Sequence, residues 1–490
     1  MADASALAAR VRGVDASWLS VPVGVGLAAL VVAYAPLSPD AAAMLAITAF
    51  CVSLWVGTPV PPWLTGLVGI GLVGVRFSTE LALVGFGSAA TWLVVLGILI
   101  GEATRHSGLS TLVERRVFDR MPGHARSDPT TAYRYLLGAF SLVALAFVVL
   151  VPSALVRVLI LGPILVSAGE CFSERRPRVG LFLGPLFVTF YGAAGVLTGS
   201  LGNIIVAGIV ESTTGVSLGW VEWLTWLAPV MSLARSAVVV AVAYVLYRPR
   251  NSGTVSVDAG AADERPDANP DDGDASTDAT DGGEEPIDAS DARRMLAFLS
   301  VGVAVWATDA IHGLHPVYGA LVVVVLAFLP RIGVVDVDAV ADADFSVVFF
   351  LGAVFAIAEG LQRTDFTAVA ADRILSLVPG GASLPVVLAA VAVATLALMF
   401  VMEGMAVASV LTPVFISFAQ GAGVPILPVA MTESVVLLSY FFPYQSAVLV
   451  AMLGLGATDT RELVRMATVC SLLTLLVLLP VQILLFALFV

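Results

Sequence analysis

Lysine is absent from the chain, so all 24 of its basic residues are arginine. Charged side chains make up only 12% of its 490 residues, about half of what a water-soluble domain carries. A soluble enzyme is thereby excluded. The three cysteines, Cys51, Cys171 and Cys470, stand far apart in or beside apolar runs, which excludes a disulfide framework and a thiolate metal site. P-loop, dinucleotide and metalloprotease motifs are missing, and nothing points to nucleic acid. One catalytic pattern, Gly215-Val216-Ser217-Leu218-Gly219, has no strand before it and no evident histidine partner, so no hydrolase is expected.

What is present is apolar: 59% of the residues are hydrophobic. A membrane span uses roughly 20 residues, so ten or more spans fit. Thirteen apolar runs follow one another from Trp18–Pro36 to Met466–Val490. In lipid each must be helical, because exposed backbone groups have no water partner. Residues 1–17 are polar, and no small-residue cleavage site follows the first run, which reads as a retained span and not a signal peptide. The net charge of −13 is concentrated in residues 251–292, where thirteen acidic residues face one arginine, Arg265. This segment lacks hydrophobic periodicity and reads as a disordered linker. It separates a first membrane repeat, residues 18–250, from a second, residues 293–490. Arginine-only basicity beside a dense carboxylate segment points to a high-salt organism.

Three runs are too long for one crossing and too short for two ordinary ones. Tyr135–Gly169 has Arg105, Arg115, Arg116, Arg120, Arg126 and Arg134 before it and Arg175, Arg176 and Arg178 after it. The positive-inside rule puts both flanks in the cytoplasm, so an even number of crossings, or none, lies between them. Pro152, Ser153, Gly162 and Pro163 in its middle suit a bend, and the run reads as a re-entrant hairpin. Leu384–Ala419 has the same character and should open to the opposite side. Residues 1–17 and the linker are then cytoplasmic, and the C-terminus lies outside.

The halves resemble each other. Gly97 precedes a Met121-Pro122-Gly123 loop as Gly352 precedes Val378-Pro379-Gly380. Ser153 and Pro163 match Glu403 and Pro413 at an offset of 250; Ser200 matches Ser446 at 246. Five crossings separate equivalent points, an odd number, so the repeats are inverted. Inverted repeats with broken helices are a mark of secondary transporters, whose sites lie near the bilayer midplane. Each hairpin is followed by an interrupted element: residues 179–210, with Gly192, Gly195, Gly199, Gly202 and Asn203, and residues 426–456, with Pro443, Tyr444, Gln445 and Ser446. A helix broken there presents N–H groups to an anion and carbonyls to a cation.

At these residues the chain resembles the divalent anion:sodium symporter family of the ion transporter superfamily. The resemblance covers nearly the whole chain, including Thr58-Pro59-Val60-Pro61-Pro62. The family carries Ser-Asn-Thr at each hairpin tip and Thr-Pro-Pro-Asn in each broken helix. Those slots read Ser153-Ala154-Leu155 and Glu403-Gly404-Met405, then Ser200-Leu201-Gly202-Asn203 and Ser446-Ala447-Val448-Leu449. The resemblance implies that they bind sodium and a carboxylate- or sulfate-bearing substrate. It also implies a rigid scaffold, a mobile transport unit and a homodimer. The expected substrate residues are Ser153, Arg157, Ser200, Asn203, Gly404 and Ser446. The expected cation-coupling residues are Gly199, Asn203, Glu403 and Gln445.

A charge at the bilayer centre costs at least ~2.5–3.5 kcal/mol on insertion scales, so Arg157 and Glu403 need partners. Either they pair across the two tips, or Arg157 holds the anion while Glu403 takes a cation or proton. Asn203 and Ser200 either ligate or cap a broken helix. Glu433, inside an apolar run, is either a coupling carboxylate or near the outer surface. Trp220, Trp223 and Trp226 read as an interfacial belt. Asp309, His312 and His315 read as an outside loop.

The expected protein is therefore an all-α integral membrane carrier: an inverted repeat of about five to six spans each, with two re-entrant hairpins and two broken helices. It moves a small anion coupled to Na+ or H+, with no other cofactor and no catalytic residue. The alternative is an uncoupled anion channel or a transporter-derived sensor.

Overall fold

The computed structural model describes residues 16–57, 60–250, 289–377, 382–400 and 404–490. The N-terminal segment to Asp15, most of the acidic linker and Glu403 lie outside the described residues. The described chain is helical, as backbone in lipid must be. Among the described residues six helices are long and apolar enough to cross a membrane, or seven if the pair Thr79–Gly87 and Ala89–His106, bent by 48°, counts as one span. Eight shorter apolar helices accompany them. Breaks within the apolar runs account for several of the short ones.

The run at 135–169 divides into Pro129–Leu150 and Ala154–Gly169. The first arm starts where Asp128 accepts a hydrogen bond from the Thr131 N–H at 2.9 Å and Pro129 occupies the first turn. The Thr131 hydroxyl bonds the same carboxylate and holds it below the usual carboxylate range. The arm stops at Val151 because Pro152 has no N–H with which to continue it. Ser153 then caps the return arm, its Oγ accepting from the Val156 N–H at 3.4 Å. The second hairpin has arms Leu384–Met399 and Gly404–Ala422.

Each hairpin leads into a helix with a gap. In the first half Arg175–Tyr191 gives way to 3₁₀ turns at Gly192–Gly195 and Leu197–Gly199, and the helix resumes at Leu201–Thr214. In the second half Ile426–Leu437 is followed by a turn at Pro443–Gln445 and by Ala447–Gly454. A long helix with a π-helical stretch closes each half: Trp220–Tyr247 around Ala228–Ala234, and Thr460–Phe489 around Thr474–Leu478. A proline, Pro229 or Pro480, stands at each interruption, where the missing N–H removes a rung of the ladder. The order of elements in the two halves is thus the same.

The halves pack crosswise. The return arm of the first hairpin lies on Ala447–Gly454, and the return arm of the second lies on Leu201–Thr214. Gly162 makes the first contact possible, since a Cβ there would fall 2.3 Å from Leu455 Cδ1. At the other end of that arm, Ser167 bonds Glu114 at 3.2 Å on the amphipathic helix Leu109–Asp119. Burial pushes the Glu114 carboxyl up, against the opposing pull of that bond and of Arg115.

Candidate functional site

The first hairpin tip is tied to the first broken helix by one side chain. Arg157 sits one turn into the return arm and is 0% exposed. Its Nη1 donates to the Val151 carbonyl at 2.6 Å, at the tip itself. Its Nη2 donates to Thr189 at 2.9 Å, near the end of Arg175–Tyr191, and to Gly199 at 2.7 Å, just before the helix resumes. All three acceptors are carbonyls that a continuous helix would have satisfied internally. Hydrogen bonds to a charged group are worth about 1.5–3 kcal/mol each, which offsets much of the cost of burying the guanidinium. Nε has no partner among the described residues.

The second tip is held by a neutral amide. Gln445 Nε2 donates to the Met399 carbonyl at 2.6 Å, at the end of the outgoing arm. Its Oε1 accepts from the N–H groups of Phe441 and Phe442 at 2.6 and 2.9 Å. The neighbouring Tyr444 hydroxyl donates to the Phe400 carbonyl at 2.9 Å. Gly404 opens the return arm where a Cβ would lie 3.2 Å from the Leu437 carbonyl.

Asn203 joins the halves. Its amide donates to the Ala193 and Val196 carbonyls at 2.9 and 2.8 Å, and its Oδ1 accepts from Ser434 Oγ at 2.6 Å. It therefore caps its own broken helix and reaches the other one. Three serines cap the helices that restart at the breaks. Ser153, Ser200 and Ser446 each accept from a backbone N–H with Oγ, at 3.4, 3.2 and 3.3 Å. In that arrangement each hydroxyl keeps its own hydrogen to donate. Three helix N-termini and a buried guanidinium thus stand at the two breaks of the first half and the one after Gln445, a grouping that favours an anion.

The core between the halves contains a second buried arginine that the sequence reading passed over. Arg235, at the end of the first π-helical stretch, donates to Leu438 O at 2.7 Å, Ser439 Oγ at 3.0 Å, Tyr191 O at 3.3 Å and Thr474 Oγ1 at 3.0 Å. It lies over the Tyr191 ring, 4.5 Å from the centroid. The Tyr191 hydroxyl in turn bonds Tyr440 O and Ser471 Oγ. The available signal was a lone arginine inside the apolar run Trp220–Tyr247, the same kind that marked Arg157. Neither arginine forms an ion pair with a carboxylate among the described residues.

Glu433 is buried among these elements, not at an outer surface. Trp220 and Trp223 are also buried, which corrects the interfacial-belt reading. Their indole N–H groups cap the gap in the first broken helix, Trp220 on Thr198 Oγ1 at 3.1 Å and Trp223 on Ala194 O at 3.0 Å. Asp309 is no loop residue open to solvent either: its carboxylate accepts from the Trp220 and Val221 N–H groups.

The family model described as the sodium:sulfate symporter transmembrane region matches residues 17–489. A protein from Cupriavidus necator named as a membrane protein is 25% identical over 324 residues, 60% of this chain and 56% of its own. An uncharacterized transporter from Haemophilus influenzae is 25% identical over 221 residues, 44% of each chain. The chain thus spans about half the length of the curated relatives it matches. The crystal structure of the Alcanivorax borkumensis YdaH transporter, titled as revealing an unusual topology, aligns at a TM-score of 0.53 and 17% identity over 95% of both chains. That likeness is one of fold.

Proposed function

The chain belongs to the family of the sodium:sulfate symporter transmembrane region, and from that premise we propose that it is a secondary active carrier for a small anion. It is a multi-pass membrane transporter and not an enzyme. The anion is a carboxylate, sulfate or similar oxyanion, and its movement by alternating access is coupled to Na+ or H+. One observation carries this reading: a fully buried arginine stands at a hairpin tip with neither a carboxylate partner nor an acceptor for its Nε–H among the described residues. An oxyanion answers both the charge and the donor. Ser153, Ser200 and Ser446 add hydroxyl donors at helix N-termini, and Gly404 lets backbone approach closely. Asn203 and Gln445 brace the walls.

Residues 18–250 and 293–490 form the two oppositely oriented repeats in this reading. Residues 1–17 and 251–292 lie in the cytoplasm, the C-terminus lies outside, and the carrier works as a homodimer. Purified protein in liposomes tests the proposal. Labelled sulfate or succinate should accumulate above its external concentration when a Na+ or pH gradient is imposed. Equilibration without accumulation would assign an uncoupled channel. No movement of any of sulfate, phosphate, citrate or succinate would leave only a sensor.

A further inference from the structure

Three of the four groups expected to ligate a coupling cation are engaged within the protein. The carbonyls at the first break hold the Arg157 guanidinium, including that of Gly199. The Asn203 Oδ1 takes the Ser434 hydroxyl, and the Gln445 Oε1 takes two backbone N–H groups. A tethered cation thus occupies the place where a broken helix would offer oxygen to a mobile one.

Glu433 is different. Its side chain is 0% exposed, in the middle of Ile426–Leu437, directly before the serine that bonds Asn203. Oε1 accepts from Thr412 Oγ1 of the second hairpin at 3.0 Å. Among the described residues Oε2 has no partner, and neither does the adjoining Thr432 hydroxyl, both buried. The helices packed against this one are Leu201–Thr214, Leu384–Met399, Gly404–Ala422 and Leu479–Phe489. Their sequences bring one titratable side chain, Glu211, which faces His315 at 3.4 Å at the far end of its helix. Glu403, one residue before Gly404, lies outside the described residues. A lone carboxylate without a cation is costly in such surroundings, whereas the neutral acid needs one hydrogen-bond acceptor.

We infer that Glu433 is the proton-carrying group of the transport cycle. It binds a proton on its carboxylate when the site is open to one side and releases it when open to the other. Thr412 links that event to the second hairpin, and Ser434–Asn203 links it to the first half. This rests on the carrier reading above and assigns its coupling ion.

The test uses full-length protein in liposomes, with sulfate and succinate as probes and Na+ replaced by choline. Wild type should exchange the probe with internal probe and accumulate it under a pH gradient without Na+. Glu433→Gln should keep exchange but lose about tenfold or more of the pH-driven accumulation, as loss of a buried proton relay does. Glu211→Gln, in parallel, should keep both. Wild-type exchange with accumulation driven by Na+ and not by pH would overturn the inference and leave the carrier reading intact. So would full pH-driven accumulation by Glu433→Gln, or its loss in Glu211→Gln alone. Absence of any exchange by wild type would instead sink the carrier reading. If Glu433→Gln fails to fold, Thr412→Val serves. Removing a donor to the carboxylate should move the pH profile of uptake to higher pH by ~0.5 units, and an unmoved profile would count against Glu433.

Discussion

The two halves of the molecule close their hairpins onto their broken helices with different chemistry. The first uses a guanidinium, Arg157, and the second a neutral amide, Gln445. The physical demand is the same in both: a break strands backbone groups in a place without water, and a donor must meet them. The answer differs in charge. The first half also supplies Arg235, which reaches across to Leu438 at the equivalent break of the second half. Among the described residues the second half supplies a fully buried acid, Glu433. A repeated architecture has therefore been given opposite electrical character in its two halves, which suits the proposed cycle of an anion and a coupling cation.

The sharpest way to break this comparison is to make the first tip like the second. Arg157→Gln keeps a donor but removes the charge and cannot span Val151, Thr189 and Gly199 together. Losing charge-assisted bonds of about 1.5–3 kcal/mol each should reduce uptake by about a hundredfold and visibly lower the thermal unfolding temperature in detergent. Arg157→Lys separates the two roles: it should restore part of the anion affinity but little of the stability, because an ammonium lacks the planar fork. Anion uptake unchanged in Arg157→Gln would show that the charge serves the fold alone.

Gln445→Leu makes the converse cut. It orphans the Met399 carbonyl and the Phe441 and Phe442 N–H groups but no charge. The expected loss is about 1–3 kcal/mol of stability, smaller than for Arg157, with uptake falling in proportion to folded protein. An effect as large as that of Arg157→Gln would mean that the second tip also touches the transported ions.

The Asn203–Ser434 bond between the halves should be weaker still. In a double-mutant cycle of Asn203→Ala and Ser434→Ala, read by thermal unfolding, a coupling of roughly 1 kcal/mol is expected for a neutral side-chain pair. A cycle that closes at zero would mean that the halves are joined elsewhere, by Arg235 and Tyr191.

Much of this was legible in the sequence because broken helices leave coarse marks. Pro152 and Ser153 signalled the first tip, since a proline ends a helix and a serine begins one. The matched positions of Ser200 and Ser446 signalled the restarts. Arg157 stood out as a lone charge in an apolar run. What the sequence did not disclose is who receives each donor. Asn203 and Gln445 have the same side chains whether they face an ion or a stranded carbonyl, and those carbonyls carry no residue-type signature. Arg235 was hidden for a related reason: its acceptors at Leu438 and Tyr191 are backbone atoms 203 and 44 residues away. The tryptophans misled because their spacing fits an interfacial belt as well as it fits an N–H cap on a buried gap.

The smallest effects distinguish capping from binding at the serines. Ser446→Ala should cost about 1 kcal/mol of stability, because the restarting helix loses its cap, whereas glycine at a cap costs only a few tenths. Both substitutions delete the same hydroxyl donor, so both should weaken anion affinity by roughly fivefold, the worth of one neutral hydrogen bond. If affinity tracks stability across Ser446→Ala and Ser446→Gly, the hydroxyl is a cap and nothing more. Equal affinity loss with unequal stability would mark it as a ligand. The same pair of substitutions at Ser153 asks whether the guanidinium half holds the anion more tightly: beside Arg157 the hydroxyl should matter more than beside Gln445, and an equal loss at both serines would erase the electrical distinction between the halves.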